Sequence, residues 1–259
     1  MDILKKVFGL NRQRAEPVVL TDPEPDQALY VVGDIHGRDD LAAHLIDQIE
    51  TDIAEHGVPD PRVVFVGDYV DRGDASAQVL ERLHALEATD SDRFVCLSGN
   101  HEEMMLDFMD EPGTGPRWLR NGGLQTLASY RIGGVTETSD EAVLADAAAR
   151  LREALGADLE AWLRGLRMTV RSGNVVVVHA ALDPRLAPEG QSDHVLTWGH
   201  PAFLRAPRTD GLCVVHGHTI VDHAELLPSR IPVDTGAVFT GRLTAAVLIP
   251  GAPLRLLQT

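Results

Sequence analysis

The chain has 259 residues, enough for one large domain or two small ones with a sizeable core. Its hydrophobic fraction of 44% and charged fraction of 24% are ordinary for a soluble globular protein. Thirty-nine Asp and Glu stand against 23 Lys and Arg, a formal net charge of −16; that balance disfavours nucleic acid and anionic membranes as partners unless a local positive centre, such as a metal, overrides it.

The N-terminal MDILKKVFGLNRQR mixes apolar and basic residues. Its apolar run is too short for a secretory signal, and it reads as a helix packed on the domain or a frayed end rather than a lipid anchor. No stretch of ~20 apolar residues is present, so no membrane span is expected. AEPVVLTDPEPDQ (15–27), with three prolines, reads as a linker. Residues 1–28 are therefore taken as an N-terminal segment and linker, and 29–259 as the folded domain.

ALYVVGD (28–34) is apolar, β-branched and stopped by glycine, the pattern of a buried strand. In 39–57 apolar Leu41, Leu45, Ile46, Ile49 and Ile53 recur at helical spacing, with Asp39 or Asp40 expected near the N-cap and Gly57 at the end. RVVFVGD (62–68), ASAQVLERLHALEA (75–88) and RFVCLSGN (93–100) repeat strand, helix, strand. Such β-α-β-α-β units give parallel strands joined by right-handed crossovers, with the functional crevice beyond the strands' carboxyl ends. Residues 103–167 are expected to be a helical insertion, interrupted at Gly122-Gly123 and broken at Gly156. MTVRSGNVVVVHA (168–180) reads as a hairpin, and LCVVHGHT, IPVDTGA and GRLTAAVLIP as further strands. Cys96 and Cys213 each lie in an apolar run and read as separate buried thiols, which suits a reducing cytoplasm.

Three successive strands end in GDIHG (33–37), GDYVDRG (67–73) and GNHE (99–102), and two later ones in VVVVHAAL (175–182) and VVHGHT (214–219). One such end could be a turn or a helix cap; five polar ends together point to a two-metal site. Carboxylate and imidazole donors without thiolate suit Mn²⁺, Fe or Zn²⁺. Asp34 and His36, two apart in an extended segment, can face one ion. Asp68 is placed to bridge, and Asn100, His179 and His218 can complete the second ion's shell. Two ions ~3.5–4 Å apart clamp a phosphoryl group and lower the pKa of a bridging water.

These motifs, with HAALDP, HGHT and VDTGA, resemble those of the phosphoprotein phosphatase family of calcineurin-like metallophosphoesterases in its bacterial and phage style, over residues 29 to 249. The resemblance implies an α/β fold: a four-layer βαβ sandwich of two mixed sheets flanked by helices. It implies that Asp34, His36 and Asp68 bind one metal, most simply Mn²⁺, and that Asp68, Asn100, His179 and His218 bind the other. His101 would protonate the leaving group, Asp71 would orient His101, Arg72 would grip the phosphate with Asn100, and Glu102 would support the site. His216 is open between an orienting partner and a metal ligand; His44, His56, His84, His194 and His223 read as solvated or structural. The family often carries a second phosphate-gripping arginine two residues after a tryptophan. Here Trp198-Gly199-His200 lacks it, leaving His200, Arg205, Arg117 or Arg120 as substitutes.

The activity implied is hydrolysis of phosphomonoesters, foremost phosphoserine and phosphothreonine in proteins, by a metal-bridging hydroxide. The alternative is a dinucleoside polyphosphate hydrolase with the same site and a nucleotide substrate. A decayed, non-catalytic scaffold and a nuclease fit the residues less well, since every ligand type is present and the acidic charge opposes nucleic acid.

Overall fold

The computed structural model describes residues 20–259, so the reading of residues 1–14 lies outside the described residues. Strands β1 (Leu29–Val32), β2 (Arg62–Phe65) and β3 (Phe94–Cys96) alternate with helices α1 (Asp39–His56) and α2 (Ser76–Thr89). The helical block follows as α3 (Asn100–Asp110), α4 (Gly115–Trp118), α5 (Leu124–Ser129) and α6 (Glu141–Arg164). The chain then forms β4 (Thr169–Ser172), β5 (Val175–Val178), α7 (Asp193–Trp198), β6 (Cys213–His216), β7 (Arg230–Pro232), α8 (Ala237–Thr240), β8 (Thr244–Leu248) and β9 (Arg255–Gln258). Among the described residues no helix is long and apolar enough to cross a membrane.

Two mixed sheets result, in the orders β3-β2-β1-β8-β9 and β4-β5-β6-β7. β1, β2 and β3 are parallel, as the two helical crossovers require, and β8 returns antiparallel beside β1. In the second sheet β5, β6 and β7 are parallel, with β4 antiparallel at the edge. Side-chain alternation sorts the core into layers. Leu29 and Val31 of β1, with Val64 and Val95, face Val175, Val177 and Val215 across the two sheets. Tyr30 and Val32 point the other way, onto α1, α2 and the helical block, through Leu45, Ile49, Leu80 and Leu83. The outer face of the second sheet is closed by Leu182, Leu196 and Phe203 over Val176, Val178 and Val214. Both cysteines are free and buried.

Some local expectations shift. α1 starts at Asp39 with Arg38 at the N-cap, so Asp39 and Asp40 lie inside the first turn, where their charge favours the positive helix end. Arg82 holds Asp39 at 2.6 Å and Arg38 holds Asp40 at 2.7 Å, which leaves neither carboxylate to cap. α6 is interrupted at Gly156, where φ is 74°. The proline-rich stretch, where described, is tied to the β4–β5 turn: Glu24 N–H donates to Asn174 Oδ1 (2.6 Å) and Gly173 N–H donates to Asp26 Oδ2 (2.8 Å). β9 was not foreseen, because a four-residue strand with alternating half-buried and exposed residues carries too short a pattern to read.

Asp52 joins three elements. Tyr30 Oη donates to its Oδ2 (2.7 Å), and Arg255 of β9 grips both oxygens (2.7 and 2.9 Å). Hydrogen bonds from Arg255 hold its pKa below the usual carboxylate range, with burial opposing. The resulting stabilisation is present above about pH 4 and fades as pH falls. Asp52→Ala leaves the Tyr30 hydroxyl, on a residue with 0% exposure, without its acceptor. Unfolding in urea at pH 7 should show a loss of about 1–3 kcal/mol.

Candidate metal centre

The carboxyl ends of β1, β2, β3, β5 and β6 meet at one edge between the sheets. Asp34 and His36 follow β1, Asp68, Asp71 and Arg72 follow β2, and Asn100 and His101 open α3 after β3. His179 follows β5 and His218 follows β6. The backbone is bent sharply here. Of eight non-glycine residues with positive φ among the described residues, five are His36, Asp68, Asp71, Arg72 and His218. Left-handed conformations on such residues are costly and cluster where a site requires them. Glycines allow the close approach: at Gly67 φ is 111°, and a Cβ would stand 2.7 Å from the Gly99 nitrogen, while a Cβ on Gly99 would run into the Asp68 carboxylate.

Two groups of donors converge, and both contain Asp68. His36, Asp68 and His101 offer atoms within 4.8 Å of one another, as do Asp68, His179 and His218. His36 Nε2 lies 3.6 Å from Asp68 Oδ2, and His179 Nε2 lies 3.4 Å from Asp68 Oδ1. The Asn100 side-chain oxygen is 3.1 Å from His179 Nε2 and 2.8 Å from His218 Nδ1. The imidazoles are held in the form that binds metal. His36 Nδ1 faces the Val70 carbonyl (2.8 Å) and His179 Nδ1 faces the Val66 carbonyl (3.0 Å), so each Nδ1 carries the proton and each Nε2 lone pair points inward. Burial pushes His36 down to about 3 and His179 to about 4, which keeps both neutral.

Acidic charge is concentrated among them. Burial, then Asp234 and Asp68, raise the Asp34 pKa well above its ordinary value. Burial opposes ionisation of Asp68, but His179, His101 and His36 outweigh it and keep its pKa low. Asp234, 3% exposed, is pushed up to about 6, mainly by burial. Three buried acids, inward lone pairs and an amide oxygen form a set of acceptors that divalent cations would satisfy, and the oxygen and nitrogen donors fit first-row ions.

Beside this set, His101 Nδ1 bonds Asp71 Oδ2 at 2.6 Å. Asp71 is itself fixed by Trp118 Nε1 (3.0 and 2.9 Å) and Thr126 Oγ1 (2.7 Å). Burial lowers the His101 pKa, but Asp68 and Asp71 raise it further, so the net shift is upward. Arg72 donates to His36 Nε2 (2.7 Å) and His101 Nε2 (2.9 Å), spanning the two rings. Glu102 accepts backbone N–H groups of Asp68 (2.8 Å), Tyr69 (2.7 Å) and Gly99 (3.0 Å), which locks the tips of β2 and β3 together. Burial and Asp68 push its pKa up to about 7 against those donors.

The structure brings together all nine candidate residues but groups them differently from the expectation in one respect. Asp34 is outside the two tight donor groups and accepts the His218 backbone N–H (3.0 Å), whereas His101 is inside one. His216 turns away from the cluster, edge-on to Phe203 with ring centroids 4.9 Å apart. His44, His56, His194 and His223 are exposed, and His84 leans on Trp162. Of the substitutes for the absent arginine, His200 faces Asp183 (3.6 Å), while the Arg117 guanidinium lies 4.2 Å from the Trp198 ring centroid. Asp234 and Trp118 were missed. VDTGA was a polar strand end and could have flagged Asp234; nothing in the sequence near Trp118 connects it to Asp71.

A family profile described as calcineurin-like phosphoesterase matches residues 28–222. The chain is 27% identical over 230 residues to serine/threonine-protein phosphatase 2 of Salmonella typhimurium, covering 83% of this chain and 90% of that protein. It is 31% identical over 237 residues to the bis(5'-nucleosyl)-tetraphosphatase PrpE of Geobacillus sp. (strain WCH70), covering 83% and 88%. Among solved structures, one named as a candidate diadenosine tetraphosphatase superposes with a TM-score of 0.61 at 21% identity, over 92% of this chain and 96% of that one, a likeness of fold.

Proposed function

Because the chain belongs to the calcineurin-like phosphoesterase family, we propose that it hydrolyses phosphomonoesters, foremost phosphoserine and phosphothreonine in proteins, with two divalent ions. The observation that carries this reading is the pair of donor groups that share Asp68 beside the His101–Asp71 pair. We assign Asp34, His36 and Asp68 to one ion and Asp68, Asn100, His179 and His218 to the other. Mn²⁺ suits the mixed carboxylate, imidazole and amide donors, and the free buried thiols suit a reducing cytoplasm. When bound, the ions supply a water acidic enough to attack phosphorus at neutral pH and a positive field over the phosphoryl oxygens.

The chain's own residues do the rest. Arg72, released from His36 and His101, offers its planar fork to two phosphoryl oxygens, next to the Asn100 amide. His101 carries a proton on Nε2 and passes it to the departing oxygen, while Asp71 holds Nδ1–H and the ring's charge. Trp118 and Thr126 keep Asp71 from turning, and Asp71 is fully buried. No side-chain nucleophile is required, so no phosphorylated residue should form.

A second reading, hydrolysis of dinucleoside polyphosphates, is supported by the 31% identity to the Geobacillus relative. Purified protein with Mn²⁺ should be assayed on p-nitrophenyl phosphate, a phosphoserine peptide and diadenosine tetraphosphate. Release of phosphate from the first two is the expected result. A preference of roughly a thousandfold for the nucleotide, measured as kcat/KM, would replace the first reading with the second. No turnover of any of the three by metal-loaded protein would end both.

A further inference from the structure

Outside the metal cluster, the helical block carries two cations that the roles above leave unused. Arg117 and Arg120 stand three residues apart, on one side of the turn that wraps Asp71 and Arg72. Several other described arginines are tied to carboxylates: Arg82 to Asp39, Arg93 to Glu50, Arg164 to Asp110 and Glu160, Arg255 to Asp52. Among the described residues, neither Arg117 nor Arg120 has a carboxylate oxygen within the 4.0 Å of an ion pair. Both side chains are exposed, so each guanidinium is open to an anion from solution.

Both line one cavity of about 360 Å³, with Met104, Asp107, Pro116 and Trp118. That volume is within the usual range for small-molecule sites, roughly 300–1,000 Å³. The cavity neighbours the proposed site through two of its lining residues. Its Trp118 wall donates to Asp71, and Met104 is one turn along α3 from His101. Arg117 stacks on Trp198, whose indole N–H is fixed by Glu103 Oε2 at 3.0 Å. Trp198 ends α7, and the Leu196 carbonyl in α7 accepts the N–H of Ala180, next to His179. Arg117 thus ties the helical block to α7 through Trp198. Stacking uses the guanidinium face and leaves its N–H edge free to donate.

We propose that Arg117 and Arg120 form an anion subsite that takes a second phosphoryl group, the one beyond the bond being cleaved, in the oligophosphate chain of a nucleotide. Met104, Pro116 and Trp118 give the adjoining sugar or base an apolar wall. Asp107 is the acid in this lining and weakens the field, so it limits affinity. The proposal rests on the phosphoester-hydrolase reading and deepens its second form, hydrolysis of dinucleoside polyphosphates.

The test compares Arg117→Ala, Arg120→Ala and Asp107→Asn in the full, Mn²⁺-loaded chain. The ratio of kcat/KM for diadenosine tetraphosphate to that for p-nitrophenyl phosphate should fall about tenfold for each arginine removed. Calorimetric affinity for a methylene-bridged diadenosine tetraphosphate analogue should fall by a similar factor and rise in Asp107→Asn. An unchanged ratio, or an equal loss on both substrates, overturns the subsite. So does a loss confined to phosphoserine peptides with acidic neighbours, which would make the occupant a peptide. If the wild-type protein hydrolyses nothing, the hydrolase reading fails by itself, and the calorimetric comparison still decides whether the arginines bind the chain.

Discussion

Replacing His101 with alanine should lower kcat on a phosphoserine peptide by about 10²–10⁴-fold, the size of a lost general acid. Metal content is the deciding second measurement, because His101 Nε2 lies 3.9 Å from Asp68 Oδ2 and shares a donor group with His36. If His101 is the proton donor, the variant keeps its Mn²⁺; a variant that loses one ion makes it a ligand instead. The defect should shrink on p-nitrophenyl phosphate, whose leaving group is stable as an anion and needs little protonation. The pH profile follows from the upward shift of the His101 pKa. The acid works while protonated, so the rate holds below that pKa and falls as pH rises through it. Asp71→Asn removes a negative charge bonded at 2.6 Å to the ring, which lowers the pKa and moves the falling limb to lower pH by on the order of 1 pH unit. Full turnover in His101→Ala, or an unmoved limb in Asp71→Asn, would remove the proton-transfer role.

The sheet tips were legible because each motif sits where a run of buried β-branched residues breaks, as at Val32-Gly33-Asp34 and Val66-Gly67-Asp68. A strand that ends in a carboxylate advertises its ending through local sequence alone. The contacts that finish the site are of another kind. Trp118 reaches Asp71 across 47 positions and Thr126 reaches it across 55. Their neighbours in sequence, a proline and two glycines, report helix breaks and nothing about a buried carboxylate. Asp234 lay in a quoted motif, yet its importance comes from standing beside Asp34, 200 positions away, a fact of sheet order rather than pattern. His216 shows the converse limit. Its spacing from His218 suited a ligand, but it is the last residue of β6, and the strand's alternation turns it onto Phe203. The helical block was readable as helix and unreadable as a wall, because its register against the β2 tip is set by Gly122, whose carbonyl accepts the Arg72 N–H at 3.3 Å.

Asp68→Asn should produce the largest loss of all, because Asp68 is the residue common to both donor groups. The substitution keeps the side chain's shape and an oxygen to accept the His101 backbone N–H, now 3.1 Å from Asp68 Oδ1. It removes only the charge that both ions would share. Metal analysis after dialysis against Mn²⁺ should therefore show both sites depleted, and kcat/KM on p-nitrophenyl phosphate should fall by more than about 10³-fold, beyond the loss of the acid alone. Stability separates this from simple misfolding. In the metal-free protein Asp68 repels Asp34 and Asp234, but the imidazoles around it outweigh this and keep its pKa low, so losing its charge should lower the melting temperature of the metal-free protein modestly while unfolding stays cooperative. Ligand binding to the folded state alone raises stability by mass action, so wild type should gain melting temperature with added Mn²⁺ and the variant should not. A variant that still binds two ions and still responds to Mn²⁺ would mean that each ion is held by its own residues, with no shared carboxylate. In that case the short distances from Asp68 to His36 and His179 would be packing rather than a bridge.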